Sequence, residues 1–296
     1  MQYTISDLEQ LSGIQSHTIR MWEQRYNALV PHRSAGNTRY YDDKQLLRLL
    51  NIVSISNQGL KISKVCLLSD DAMKQHIDLE ISDTIAKDQQ YECYISKLLQ
   101  YGIGYNEIKF STLLNQCIAK YEVSNTYKYI IYPLLVRLGL MWRKDSICAA
   151  QEHFLTSIIR QKLFVAIENL PQFDNGKTWL LFLPQEEEHE IGLLYANYAL
   201  RKLAQKVIYL GPRVPLESVD QVFALNKINH ILIFMVQNNL ITHAQKYIDQ
   251  LSTTYPSVLI HLAGNHKLIS GLKLPSNVNW ITSIDQFEAQ LKTVKK

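Results

Sequence analysis

The sequence predicts three domains in series: an all-α winged helix-turn-helix head, a four-helix bundle, and an α/β domain of flavodoxin-like (Rossmann-like) type. Three observations carry this. A chain of 296 residues exceeds what one ordinary hydrophobic core fills. Helical periodicity runs from 85 to 170 with Pro133 as the only proline. From Thr178 the period changes, and short apolar runs alternate with helical patterns. The boundaries that follow are 1–70 for the head, 71–84 for a linker, 85–170 for the bundle and 176–296 for the α/β domain. Hydrophobic residues make up 47% of the chain and prolines number only 8, so folded structure is expected throughout. The net charge of +4 permits nucleic-acid binding without requiring it.

In the head, Ser6-Asp7-Leu8-Glu9 reads as a capping box opening a short helix with Leu8 and Leu11 on one side. Gly13 fits a left-handed turn, and 16–26 reads as a second helix with Ile19 and Trp22 inward. The outward residues of that helix are His17, Thr18, Arg20 and Arg25, types that reach base edges and phosphates in a major groove. Gly36-Asn37 makes a hairpin tip, with Arg33, Arg39 and Tyr40 lining a wing along a DNA backbone. The plainer alternative is a solvated basic loop beside a small helical core.

The order of residues says more than the pattern. Tyr3-Thr4-Ile5, Gly13-Ile14, His17-Thr18-Ile19-Arg20-Met21-Trp22-Glu23, Arg25-Tyr26 and Asn37-Thr38-Arg39-Tyr40-Tyr41 closely resemble the winged-helix head of the MerR family of transcriptional regulators. The resemblance implies binding to inverted-repeat double-stranded DNA as a dimer, with Arg20, Arg39 and Tyr40 near phosphates and His17 and Thr18 near bases. Usual members of that family dimerise through a long C-terminal helix. No heptad run follows the head here, so self-association is expected to come from elsewhere.

Residues 67–83 are polar and mixed, and read as a linker or short helix. The bundle helices are expected at 91–99, 108–121, 127–142 and 148–167, separated by Tyr101-Gly102-Ile103-Gly104, Glu122-Val123-Ser124-Asn125 and Arg143-Lys144-Asp145-Ser146. In the α/β domain, strands are expected at 179–183, 207–210, 230–236, 258–262 and 278–282. Helices are expected at 191–203, 216–225, 242–251, more weakly at 267–272, and at 284–294. This alternation means a doubly wound parallel sheet, which binds ligands beyond the carboxyl ends of its strands.

The loop Gln185-Glu186-Glu187-Glu188-His189-Glu190-Ile191-Gly192 follows the first strand and so lies at that edge. His189 there is either a metal ligand or an exposed histidine among glutamates. A neutral imidazole ligates a borderline metal ion well, and a carboxylate on its other nitrogen fixes the tautomer; Glu187 is placed for that part. Ligation would release a proton and weaken at low pH. Gly192 permits close backbone approach. Read singly, Trp142 is a core aromatic at the bundle's end and Glu152-His153 a polar helix start. Cys66, Cys93, Cys117 and Cys148 lack Cys-x-x-Cys spacing, which argues against zinc and for a reducing compartment. His17, His32, His76, His230, His243, His261 and His266 show no spacing that marks a metal site. No apolar run approaches the length of a membrane span, and Met1-Gln2-Tyr3-Thr4 lacks signal-peptide character, so a cytoplasmic location is expected. No Ser-His-Asp or phosphate-loop pattern appears, and no enzymatic activity is expected.

Glu187-x-His189-x-x-Gly192 resembles the Asp-x-His-x-x-Gly signature of cobalamin-binding domains, with Glu for Asp. The resemblance implies His189 as the lower ligand of cobalt and a nucleotide tail threaded into the sheet. A helical bundle ahead of such a domain is the arrangement of corrinoid modules of methionine synthase type. Trp142-x9-Glu152-His153 is similar to the cap of the CarH/LitR group of light-sensing, adenosylcobalamin-dependent MerR regulators. There the tryptophan lies against the adenosyl group and the Glu-His pair contacts adenosine. This chain departs from the pattern at three places. Arg143 replaces the histidine after the tryptophan; Phe234-Met235-Val236-Gln237 stands where a serine is usual; Ala263-Gly264 replaces a glycine pair. The function implied is a repressor whose oligomerisation and operator binding follow adenosylcobalamin and light, with Gly264 completing the cofactor site. The rival readings are a MerR-type regulator with a cofactor-free sensor under a protein partner, and a corrinoid methyl carrier, for which a DNA-binding head has no use.

Overall fold

The structure, a computed structural model, describes residues 2–34, 36–57, 60–73, 87–142, 148–174, 176–236 and 241–294. The linker expected at 71–84 lies outside the described residues from 74 onward, as do His76, Arg143 and Gln237. The chain forms two compact units, Met1–Ile158 and Ile159–Lys296.

The first unit opens with α1 (Ile5–Ser12), which ends at Gly13 in the left-handed region, φ 73°. Its capping box is Thr4 with Asp7, two residues earlier than the expected one at Ser6: the Asp7 amide donates to Thr4 Oγ1, and the Asp7 carboxylate accepts from the Thr4 amide. The correction follows from Tyr3, whose backbone pairs with Tyr41 and leaves Thr4 as the first residue free to cap. Next is α2 (Ser16–Tyr26), with Ile19 and Trp22 buried as expected. Its N-cap Gln15 supplies no side-chain cap. Glu9 of α1 does so instead, its carboxylate accepting from the Ser16 amide and hydroxyl. A two-stranded hairpin, β1 (His32–Arg33) and β2 (Arg39–Tyr40), turns at Asn37, φ 60°, so the head is not all-α. Helices α3 (Asp43–Asn57) and α4 (Ile62–Val65) follow. Arg48 ties them to the turn after α2, donating to the carbonyls of Ala28 and Cys66.

Among the described residues, four further helices belong to the middle of the chain: α5 (Lys87–Ile103), α6 (Glu107–Thr126), α7 (Tyr132–Trp142) and α8 (Ala149–Glu168). The break expected at 122–125 falls at Glu122, whose φ 62° and ψ 167° are non-helical; α6 kinks there, and the chain then passes into a π-helical turn, Tyr127–Ile131. The buried Thr126 hydroxyl donates to the Cys117 carbonyl across this kink. Gly102 is required: a Cβ there would lie 2.0 Å from Leu155 Cδ2, so the glycine lets α8 press against α5. Within this unit α1 packs against α7 and α3 against α5.

The second unit holds a five-stranded, all-parallel sheet of β3 (Thr178–Pro184), β4 (Lys206–Val214), β5 (His230–Met235), β6 (Leu259–Gly264) and β7 (Val278–Trp280), ordered β4-β3-β5-β6-β7. In chain order this is 2-1-3-4-5, the flavodoxin-like arrangement, whose switch point lies at the carboxyl ends of β3 and β5. The connecting helices are α9 (Ile191–Lys202), α10 (Leu216–Leu225), α11 (Ile241–Thr254), α12 (His266–Ile269) and α13 (Ile284–Val294). Strand β3 is buried at all seven positions, as a central parallel strand covered on both faces must be. Leu180, Phe182, Ile233 and Met235 join one core with α10 and α11, and Trp179, Leu181, Leu183 and Leu232 another with α9 and α13. Strand β4 runs four residues past its expected end at 210. A register shift near Gly211, φ 83°, carries it on to Arg213, whose amide donates to the Glu187 carbonyl.

Candidate DNA-binding face and cofactor site

In the head, α2 and the hairpin each present the side chains expected of them. His17, Arg20, Arg25, Arg33 and Arg39 are exposed, and Thr18 and Tyr40 are half-buried. Arg20 on α2 and Arg39 on β2 both bear on Glu23, whose carboxylate accepts from the Tyr41 hydroxyl. Burial pushes the Glu23 carboxyl up, while Tyr41 and the two guanidiniums hold it down. The same burial, with Glu23 beside it, raises the Tyr41 hydroxyl. Helix and hairpin thus share one electrostatic centre, and two cations from different elements sit around one anchored carboxylate. His32 stacks on Tyr40 and pairs with Asp42, while Arg33 is held by Asn37 at the hairpin tip.

In the second unit the loop after β3 is organised by Glu187, which is fully buried. Its Oε1 accepts from the amides of Glu188 and His189, both at 3.0 Å, and its Oε2 from the amide of Val236 at 2.7 Å. The carboxylate also bridges the carboxyl ends of β3 and β5, across the switch point. His189 Nδ1 lies 2.7 Å from Glu187 Oε1, and half of its ring is exposed. In the neutral tautomer that this contact selects, Nδ1 carries the proton and Nε2 the lone pair. Glu190, next in the chain, accepts from the Tyr209 hydroxyl at 2.9 Å and forms an ion pair with Arg160 at 2.8 Å, pinning the start of α9. Burial, and then Glu190, push the Tyr209 hydroxyl up.

Gly192 sits in the first turn of α9 under a phenyl ring: a Cβ on it would lie 2.7 Å from Phe234 Cε1. Gly264 ends β6 at φ 130°, where a Cβ would meet the Met235 carbonyl oxygen at 2.1 Å. In the first unit, Glu152 and His153 open α8, with His153 Nδ1 3.3 Å from Glu152 Oε2. Trp142 is the last residue of α7, and its side chain lies outside the described residues.

One cluster gave no signal in the sequence. His230 Nδ1 lies 3.1 Å from His261 Nε2, and Trp179 stacks on both rings at 4.2 and 4.8 Å. The two histidines are 31 residues apart and meet only through strand register, so no local spacing marks them. Among the described residues no group of three His, Cys, Asp or Glu is disposed to hold a metal ion, and no helix is long and apolar enough to cross a membrane.

Comparison with known proteins places two stretches of the chain in families. Residues 3–70 match the MerR HTH family regulatory protein, and residues 94–166 match the B12 binding domain. The chain is 29% identical over 222 residues to the HTH-type transcriptional repressor CarH of Myxococcus xanthus, covering 74% of each. To the repressor CarA of the same organism it is 25% identical over 223 residues, covering 74% of this chain and 72% of that one. The fold is similar to that of the monomethylamine corrinoid protein of Methanosarcina barkeri, with TM-score 0.54 at 14% identity, over 67% of this chain and 96% of that one.

A cobalamin needs a nitrogen ligand and room for its bulk. The donor set fits the first need, since His189 is held by a carboxylate that is itself anchored by backbone. The space in front of Gly192, by contrast, is filled by Phe234. The chain thus joins a MerR-type helix-turn-helix region at 3–70 to a B12 binding domain at 94–166, and is similar to HTH-type transcriptional repressors over 74% of its length.

Proposed function

We propose that the protein is a repressor whose oligomerisation and operator binding are controlled by adenosylcobalamin, and by light acting on it. The observation that carries this reading is Glu187, which fixes the His189 ring through Nδ1 and leaves the Nε2 lone pair for cobalt. When bound, adenosylcobalamin supplies a cobalt–carbon bond that light breaks. His189 would hold the cobalt through Nε2, with Glu187 holding its tautomer and Gly192 and Gly264 shaping the backbone around it. By the spacing of Trp142 to Glu152-His153, these three residues would contact the adenosyl group. Loading promotes assembly into dimers or tetramers, so that several heads engage one inverted-repeat operator and gain avidity through high effective concentration. Arg20, Arg25, Arg33, Arg39 and Tyr40 supply phosphate contacts, and His17 and Thr18 supply base contacts. Repression then follows from blocking polymerase.

The test is a titration of the purified protein with adenosylcobalamin in darkness, then illumination, each followed by sizing and by operator binding. The expected outcome is a corrinoid spectrum altered by the protein, a larger species in the dark, and its loss in light and in His189→Ala. A colourless protein after mixing and desalting rejects this reading. It would leave the second one, a cofactor-free sensor under a protein partner, which the Phe234 ring over Gly192 favours.

A further inference from the structure

We propose that Phe234 determines which corrinoid the His189 site accepts, by closing the slot that a nucleotide tail needs. This rests on the reading of His189 as the cobalt ligand. In cobalamin the nucleotide tail hangs from the lower face of the corrin ring, the face an axial histidine must approach. An imidazole that takes the axial position displaces the tail's own base, and the tail must then be housed beside that imidazole.

Beside His189 stand the first turn of α9 and the carboxyl ends of β5 and β6. Two glycines there lack the side chains that would otherwise fill the space, and other parts of the chain fill it at both. A Cβ on Gly192 would lie 2.7, 3.1 and 3.4 Å from three carbons of the Phe234 ring, so the ring rests on the glycine's Cα. At Gly264 the occupant is the Met235 backbone, whose carbonyl oxygen would lie 2.1 Å from a Cβ on that glycine. That carbonyl is committed, since it accepts from the Asn265 amide at 2.7 Å. Met235 is also 1% exposed and part of the core on the other face of the sheet. The backbone contact is fixed by the sheet, whereas Phe234 turns on two torsions at the end of its strand and is only half-buried. Phe234 is therefore the one of the two that a ligand can displace, and doing so strips a packed ring from its partners. A corrinoid without a tail meets no such demand.

The experiment compares adenosylcobalamin with adenosylcobinamide, which lacks the nucleotide, on the full chain in darkness, followed by absorption. Adenosylcobinamide has no nitrogen base of its own, so its colour change reports ligation by the protein. Wild type should bind adenosylcobinamide about tenfold or more tightly than adenosylcobalamin. Phe234→Ala should bring the two affinities together by strengthening adenosylcobalamin binding, and Phe234→Leu should fall between them. The wild-type comparison requires no variant to fold. Equal affinities in wild type, or tighter adenosylcobalamin binding, overturn the proposal while leaving the His189 reading intact. A colour change with neither corrinoid overturns both.

Discussion

At the scale of single residues, Glu187 organises the sensor loop, because one side chain satisfies three amides and orients one imidazole. The extra methylene of glutamate over aspartate lets the carboxylate reach across to Val236, just past β5, while keeping His189. Glu187→Ala removes the buried acceptor that those three amides share, and should lower stability by about 1–3 kcal/mol in thermal unfolding. It should also weaken corrinoid binding by about 10- to 100-fold in the spectral titration, the usual effect of losing the group that orients a ligating histidine. In the head, Arg20 and Arg39 are exposed cations from different elements. Arg20→Ala and Arg39→Ala should each weaken operator and non-operator DNA alike, and should reduce the slope of log affinity against log salt by about 1. Fluorescence anisotropy at three salt concentrations measures this; an unchanged slope would remove either residue from the phosphate contacts.

At the scale of elements, strand register creates a chemistry that the sequence conceals. Pairing of β3 with β5 and of β5 with β6 brings Trp179, His230 and His261 into one stack in the second unit. Burial pushes both imidazoles down, each to about 4, with Lys177 adding to the effect on His230 and His230 to that on His261. The folded unit therefore holds them neutral, whereas the unfolded chain takes up protons below about 6.5. Stability is fully present above that pH and is lost as pH falls from about 6.5 towards 4. Between pH 6.5 and 5, above most carboxylate titration, the loss should be about 2 kcal/mol for each imidazole that stays neutral. Urea unfolding at the two pH values measures it, and His261→Leu should show the shallower dependence; parallel curves for the two proteins would exclude the pair as its source. Spacing reveals none of this because the two histidines belong to strands whose adjacency is a property of the sheet. Local signals fared better: the left-handed turn at Gly13, the Ser16–Tyr26 helix and the inward Ile19 and Trp22 all follow from periodicity and turn chemistry. Where a residue had two local uses, tertiary pairing decided. Thr4 rather than Ser6 caps α1 because Tyr3 is held by Tyr41, whereas the polar stretch after Tyr121 does break the helix, at the single residue Glu122.

At the scale of the whole molecule, the sequence divides the head from the helices that follow it, whereas long-range packing joins them in one compact unit. Helix α1 packs against α7 and α3 against α5, contacts between segments distant in sequence that no hydrophobic period announces. The consequence is physical. Helix α7 ends at Trp142, the residue whose spacing to Glu152-His153 resembles a cofactor cap, and α1 begins the DNA-binding motif. A disturbance of α7 must therefore alter the surface on which α1 rests, because close-packed interiors transmit strain. Leu134 is a completely buried residue of α7, and Leu134→Ala should destabilise the first unit by about 2–5 kcal/mol. If α1 and α7 behave as one packed body, amide exchange should accelerate in 5–12 as well as in 132–142, with operator affinity falling in parallel. Faster exchange confined to α7, with the head's amides and DNA affinity unchanged, would show that the head folds and binds independently of those helices.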